Sequence, residues 1–226
     1  MDNTGFQQAK RAQLSILSKL EKRCLVWMAE RMPTRVNSDH LTVLGVAGMF
    51  LAGLSYWYAR SNRLGLLLVI LFLAVNWFGD SLDGTLARVR NRQRPRYGFY
   101  VDHVIDTFGA LFLTSGLALS GNMSTAIAAG LLIVFYMLSI EVYLATYTIG
   151  TFHLSFWIFG PTELRLVLAI GNLALYFRNS PTVKLIGGEY LLFDVGGAVG
   201  IVGMALMLIV ATIRHTHMLY RAEALP

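Results

Sequence analysis

The sequence predicts an all-α integral membrane protein, with six transmembrane helices preceded by an N-terminal amphipathic juxtamembrane helix. Three observations predict it. The chain has 226 residues, 55% hydrophobic and only 14% charged, where soluble domains carry about a quarter charged residues; its mean hydropathy is +0.55. The apolar residues gather into six stretches long enough to cross about 30 Å of hydrocarbon. The basic residues gather outside those stretches, and unevenly by side.

Residues 1–36 form the N-terminal segment. Leu14, Leu17, Leu20, Cys24, Leu25 and Met28 recur there at helical spacing, and Lys10, Arg11, Lys19, Lys22 and Arg23 fill much of the remainder. Such a helix either lies on an anionic cytoplasmic leaflet or packs against its own membrane domain. The segment lacks the compact apolar core and cleavage site of a secretory signal, so the N-terminus is expected to stay in the cytoplasm. The single cysteine, Cys24, excludes an intramolecular disulfide framework and reads as a small apolar residue.

Residues 37–226 form the membrane domain. The spans fall near Leu41–Ala59, Leu64–Ala87, Phe99–Leu119, Thr125–Ile149, Pro161–Phe177 and Val195–Ile213. Between the fourth and fifth, Gly150 to Gly160 is apolar and aromatic with no charge to end a span; it extends a helix or lies at the interface. No internal repeat or low-complexity tract interrupts the pattern. With the N-terminus inside, fourteen of the nineteen Lys and Arg fall on the cytoplasmic side, against Arg60, Arg63, Arg178 and Lys184 on the other. That asymmetry orients the protein, in the cell inner or plasma membrane.

Two carboxylate pairs lie at the cytoplasmic ends of neighbouring spans. The first is in Asp80-Ser-Leu-Asp83-Gly84-Thr-Leu-Ala87-Arg88 and the second in Gly98-Phe-Tyr-Val-Asp102-His-Val-Ile-Asp106. Residues three or four apart share a helix face, so each pair is one-sided. Ionisable groups in a membrane segment mark a functional site by default. Four carboxylates facing one another offer an all-oxygen ligand set for Mg²⁺ or Mn²⁺ rather than zinc. Neutralisation by nearby arginines explains one such aspartate better than four. Transporters also use intramembrane acids, but near the midplane and within repeated halves. Gly84 and Ala87 remove bulk beside the acids, and Gly98 lies one turn before Asp102 on the same face.

Asp-x₂-Asp-Gly-x₂-Ala-Arg, nine residues, then Gly-x₃-Asp-x₃-Asp resembles the signature of the CDP-alcohol phosphotransferase family. All eight fixed positions are filled, by Asp80, Asp83, Gly84, Ala87, Arg88, Gly98, Asp102 and Asp106. Such a match is far more specific than a lone glycine motif. The six-span layout resembles the family over most of the chain. The stretch Asn37-Ser-Asp-His-Leu41-Thr42 also resembles the Asn-x-Leu-Thr that opens the first span in the family, with extra residues inserted, and reads equally as a helix cap.

The resemblance implies transfer of a substituted phosphate from a CDP-linked donor to an alcohol, with release of CMP. It implies two divalent metals, Mg²⁺ or Mn²⁺, held by Asp80, Asp83, Asp102 and Asp106, with Asp106 also the base for the acceptor hydroxyl. It places Gly84, Ala87, Arg88 and Gly98 at the nucleotide, and it implies a homodimer. The compact size resembles the branch that uses CDP-diacylglycerol and a small polar alcohol. The Asp102-His103-x₂-Asp106 form instead resembles the branch that transfers from CDP-choline or CDP-ethanolamine to diacylglycerol. A non-enzymatic cation transporter or channel is the rival from another class.

The remaining polar residues are less directive. His103, Glu163 and Arg165 are candidates for an acceptor pocket, while Glu163 and Arg165 also suit a mutual ion pair and His103 a hydrogen bond within its helix. Glu141 is a further charge within a span. The Arg-rich loop from Arg88 to Arg96 has no recognition fold around it, so it is read as a topological signal with attraction to anionic lipid and not as a nucleic-acid site. His40, His153, His215 and His217 show no metal-ligand arrangement. Gly196 and Gly200 suit close helix contact.

Overall fold

The computed structural model describes residues 18–149, 160–178, 181–185 and 187–223. In chain order the elements are α1 (Ser18–Arg31), α2 (Ser38–Ala59), α3 (Leu64–Val89), α4 (Pro95–Ser120), α5 (Thr125–Ile149), α6 (Pro161–Phe177), β1 (Thr182–Leu185), β2 (Gly188–Leu191) and α7 (Leu192–Ala222). The protein is an all-α integral membrane protein apart from one hairpin. Among the described residues, five helices, α2, α3, α4, α5 and α7, are long and apolar enough to cross a membrane. The expected fifth span appears as α6, 17 residues or about 26 Å long at the α-helical rise. It is the shortest of the six and carries Glu163 and Arg165 in its first two turns. The six-span expectation is therefore approximate. Residues 150–159, His153 among them, lie outside the described residues, as do Lys10, Arg11, Leu14 and Leu17.

The helix ends follow local chemistry. Pro95 sits in the first turn of α4, where its missing N–H costs nothing. Gly121 ends α4 with φ +74°, a left-handed position that glycine takes without Cβ strain. Asn37 precedes α2 and donates its backbone N–H to His40 Nδ1 at 3.3 Å. The hairpin was not anticipated from the sequence. Its strands pair antiparallel from Thr182↔Leu191 to Leu185↔Gly188, and Gly187 in its turn has φ +101°, which explains the glycine there.

Helix α2 is the centre of the bundle, packed on α3 along one side and α4 along another. Small residues make this possible. A Cβ on Gly48 would stand 2.8 Å from the Asn76 backbone nitrogen, and one on Gly79 would stand 2.5 Å from that of Gly45. On the α4 side, a Cβ on Gly53 would run into the Phe112 backbone and one on Gly116 into the Gly53 backbone. Close backbone approach replaces the hydrophobic effect as the cause of association in lipid. Beyond the glycines, Ala52, Tyr56, Val69, Leu73, Leu117 and Phe193 form a buried cluster. There Asn172 on α6 donates to Tyr56 Oη at 2.8 Å.

Helix α1 lies against its own bundle. Leu25 and Ala29 are buried with Leu41, Leu82 and Leu86, and Met28 and Met32 pack beside them. Arg90 fixes the α1–α2 link, donating to the carbonyls of Met32 (2.8 Å), Pro33 (2.9 Å) and Val36. Of the two readings of the N-terminal helix, packing on its own domain is what residues 25–32 do.

Candidate active site

The last turns of α3, the first turns of α4 and the first turns of α2 meet at one end of the bundle. There they border a small cleft, about 20 Å³ in volume, lined by Thr42, Gly45, Val46 and Met49 of α2, by Asn76, Asp80 and Asp83 of α3, and by Asp102, Ile105, Asp106 and Gly109 of α4. All four aspartates of the two sequence pairs therefore line a single space. The spacing that puts each pair on one helix face, and the Gly45–Gly79 contact that draws α2 onto α3, bring them together.

The carboxylates differ in their surroundings. Asp83 is buried, 9% exposed. Its Oδ2 accepts from Thr42 Oγ1 at 2.6 Å, its Oδ1 faces the Gly84 N–H, and its backbone carbonyl accepts from Ser38 Oγ at 2.9 Å. Such a carboxylate is tolerated in a dry site only because donors surround it. The Asp80 side chain is 40% exposed and pairs with Arg165 of α6 at 2.6 Å. Arg165 Nε also donates to Asn76 Oδ1 at 2.9 Å, and Asn76 Nδ2 donates to the Gly45 carbonyl at 2.9 Å. Asn76 thus joins three helices at the floor of the cleft.

The donor set suits a hard divalent cation, since the polar side chains of the cleft, four carboxylates with Thr42 and Asn76, all offer oxygen. Among the described residues no three His, Cys, Asp or Glu side chains form a ready-made metal cage. The positive charge at Asp80 comes from Arg165.

The other sequence candidates separate into groups. Ala87 lines a second, larger cavity of about 390 Å³ with Asn37, Ser38, Asp39, Arg90, Arg92 and Arg94 among its walls. Arg94 makes an ion pair with Asp39 across its mouth. Gly84, Arg88 and Gly98 line neither space. A Cβ on Gly98 would meet nothing within 4 Å, and one on Gly84 would meet only the Arg88 guanidinium, at 3.5 Å and beyond, so both positions border open room. Arg88 donates to Thr85 Oγ1 at 3.0 Å.

His103 turns toward α5 instead of the cleft, its Nδ1 on the Phe99 carbonyl and its ring 4.8 Å from that of Tyr143. Glu163 accepts the Gly160 N–H at 2.9 Å and so caps α6. Arg165 pairs with Asp80, not with Glu163, while Glu141 meets His215 at 2.6 Å.

Sequence reasoning missed Asn76 and gave Thr42 no role. Asn76 lies four residues before Asp80 and seven before Asp83, on the same helix face, a signal that was available. Thr42 closed the stretch resembling the family's first-span motif, and its contact with Asp83 gives that stretch a structural purpose.

A membrane bundle that gathers the four signature aspartates around one acidic cleft is the architecture of a membrane-embedded transferase. The chain belongs to the CDP-alcohol phosphatidyltransferase family, whose model matches residues 36–219. It is accordingly a CDP-alcohol phosphotransferase, an integral membrane enzyme of phospholipid biosynthesis, and the ion-pathway alternative is set aside. The fold is similar to the crystal structure of the Mycobacterium tuberculosis phosphatidylinositol phosphate synthase with CDP-DAG bound, at TM-score 0.58 and 16% identity, over 88% of this chain and 94% of that one. No curated protein sequence matches the chain. The family generally uses divalent metals.

Proposed function

We propose that this enzyme transfers the phosphatidyl group of CDP-diacylglycerol to the hydroxyl of a small polar alcohol and releases CMP. The observation that carries this reading is the single cleft lined by Asp80, Asp83, Asp102 and Asp106. The CDP-DAG bound to the similar Mycobacterium tuberculosis enzyme supports the choice of donor. Two divalent cations, Mg²⁺ or Mn²⁺, held by these four aspartates supply the charge that lets a pyrophosphate approach carboxylates and that stabilises the departing phosphate.

The residues of the chain do the rest. Asp106 accepts the proton of the acceptor hydroxyl, whose oxygen bonds to the phosphorus bearing the diacylglycerol as the bond from that phosphorus to the CMP oxygen breaks. The phosphoester product carries the acceptor oxygen, and CMP leaves with the bridging oxygen. Thr42 and Ser38 hold Asp83 in orientation. Gly84 and Gly98 leave room for the nucleotide, with Ala87 and Arg88 beside it. Lys and Arg asymmetry puts this end of the bundle at the cytoplasmic face, so the polar acceptor arrives from the cytoplasm and the donor sideways from the bilayer. A homodimer is the expected assembly.

The test is CMP release by purified protein in nanodiscs with Mg²⁺ or Mn²⁺. CDP-diacylglycerol is offered with a panel of alcohols, and CDP-choline or CDP-ethanolamine with diacylglycerol. Acceptor-dependent CMP from CDP-diacylglycerol, abolished by Asp106→Asn, supports the reading. CMP from only the diacylglycerol arm transfers the enzyme to the aminoalcohol branch.

A further inference from the structure

Glu21 of α1 does not line the acidic cleft, yet its Oε1 accepts hydrogen bonds from two other helices. Trp77 Nε1 of α3 donates to it at 2.7 Å and Thr162 Oγ1 of α6 at 2.8 Å. Trp77 lies three residues before Asp80, and Thr162 lies three before Arg165. The Glu21 bridge is therefore one helical turn, along both helices, from the fork by which Arg165 holds Asn76 and Asp80.

Helix α6 depends on such ties. Its main packing partner among the described elements is α3. The far part of α6 is anchored by the Asn172–Tyr56 bond, and its first turn is anchored by Glu21. Releasing that turn gives the Arg165 guanidinium freedom to leave Asp80.

Arg165 matters to the charge of the cleft. Its guanidinium occupies Asp80 Oδ2, an oxygen a divalent cation needs, and it adds a positive charge that repels the cation. We propose that Glu21 is a positioning residue: by tying the first turn of α6 to α3 it keeps Arg165 on Asp80, so that the N-terminal helix sets how tightly the cleft takes a divalent cation. This rests on the reading of the four aspartates as the metal site.

The test is Mn²⁺ binding to the full chain in nanodiscs without substrate, followed by the electron paramagnetic resonance signal of free Mn²⁺. Arg165→Gln is expected to tighten binding about tenfold, the effect of removing one unit charge a few ångströms away in a partly solvated site. Glu21→Ala is expected to tighten it about threefold in the wild-type background and not at all in the Arg165→Gln background, the non-additivity of coupled residues. Thr162→Val, which removes only the α6 half of the bridge, shifts binding in the same direction and serves if Glu21→Ala does not fold.

A Glu21 that merely stabilises the fold would lower the melting temperature and leave the Mn²⁺ affinity of folded protein unchanged. That result, or an equal shift in both backgrounds, overturns the proposal while leaving the metal site intact. Mn²⁺ binding that Asp102→Asn does not weaken overturns the metal reading itself, and the proposal with it.

Discussion

The Thr42 hydroxyl of α2 donates to the Asp83 carboxylate of α3 at 2.6 Å, and this contact joins the helix that organises the bundle to the most buried acid of the cleft. A carboxylate that is 9% exposed needs such donors to stay oriented and ionised. Thr42→Val keeps the shape and removes the donor. Activity is expected to fall about 10- to 100-fold, the usual cost of losing a partner that orients a metal-ligating group, while Thr42→Ser retains most of it. CMP release over a Mg²⁺ titration checks both.

Chelation is expected to stop the reaction, and added Mg²⁺ or Mn²⁺ to restore it. Asp83→Asn and Asp102→Asn keep the size of each side chain and remove its charge, so both raise the metal concentration needed for half-maximal rate and lower the maximum. A chelated enzyme that still releases CMP would refute the metal-dependent reading. The comparison is made in one lipid composition, because binding of a lipid substrate changes with the membrane.

The glycine contacts predict a different failure. Gly79→Val introduces bulk at a position where even a Cβ stands 2.5 Å from the Gly45 nitrogen, and overpacking of this kind costs about 1–3 kcal/mol or more. At about 2–4 °C per kcal/mol for a chain of this size, the melting temperature in detergent drops by several degrees or more. Gly98→Ala, at a position bordering open space, leaves it unchanged. Scanning fluorimetry of the two variants separates packing glycines from the glycine of the signature.

Arg90 predicts a local opening. Its guanidinium closes the α1–α2 link through the carbonyls of Met32, Pro33 and Val36. Arg90→Gln frees that link, which contains Arg35 and follows Arg31. Trypsin is expected to cut there several times faster than in the wild type, about in proportion to the population of the opened link. An unchanged digestion pattern would show that hydrophobic docking of Leu25 and Ala29 suffices.

Membrane class, helices and the identity of the acids are all legible along the chain. Those features are local: an apolar stretch, a three- or four-residue spacing and a nine-residue gap are visible without any fold. The facing limits of the fourth and fifth spans are not legible, because no charge between Gly150 and Gly160 ends a span. The hairpin from Thr182 to Leu191 escaped notice because two four-residue strands leave little periodic signal between spans.

Which polar groups meet is a matter of packing. Thr42 reaches Asp83 across 41 residues of sequence, Arg165 reaches Asp80 across 85, and Thr162 reaches Glu21 across 141. The same packing turned His103 toward Tyr143 and paired Arg165 with Asp80 instead of Glu163, which caps its own helix. A charge within a span must find a partner or solvent, and the sequence states that requirement clearly. Which partner it finds is settled by the approach of α2 to α3 and α4 at their glycines and by the docking of α6 on α3 and α5 on α4, a three-dimensional constraint that no spacing along the chain encodes.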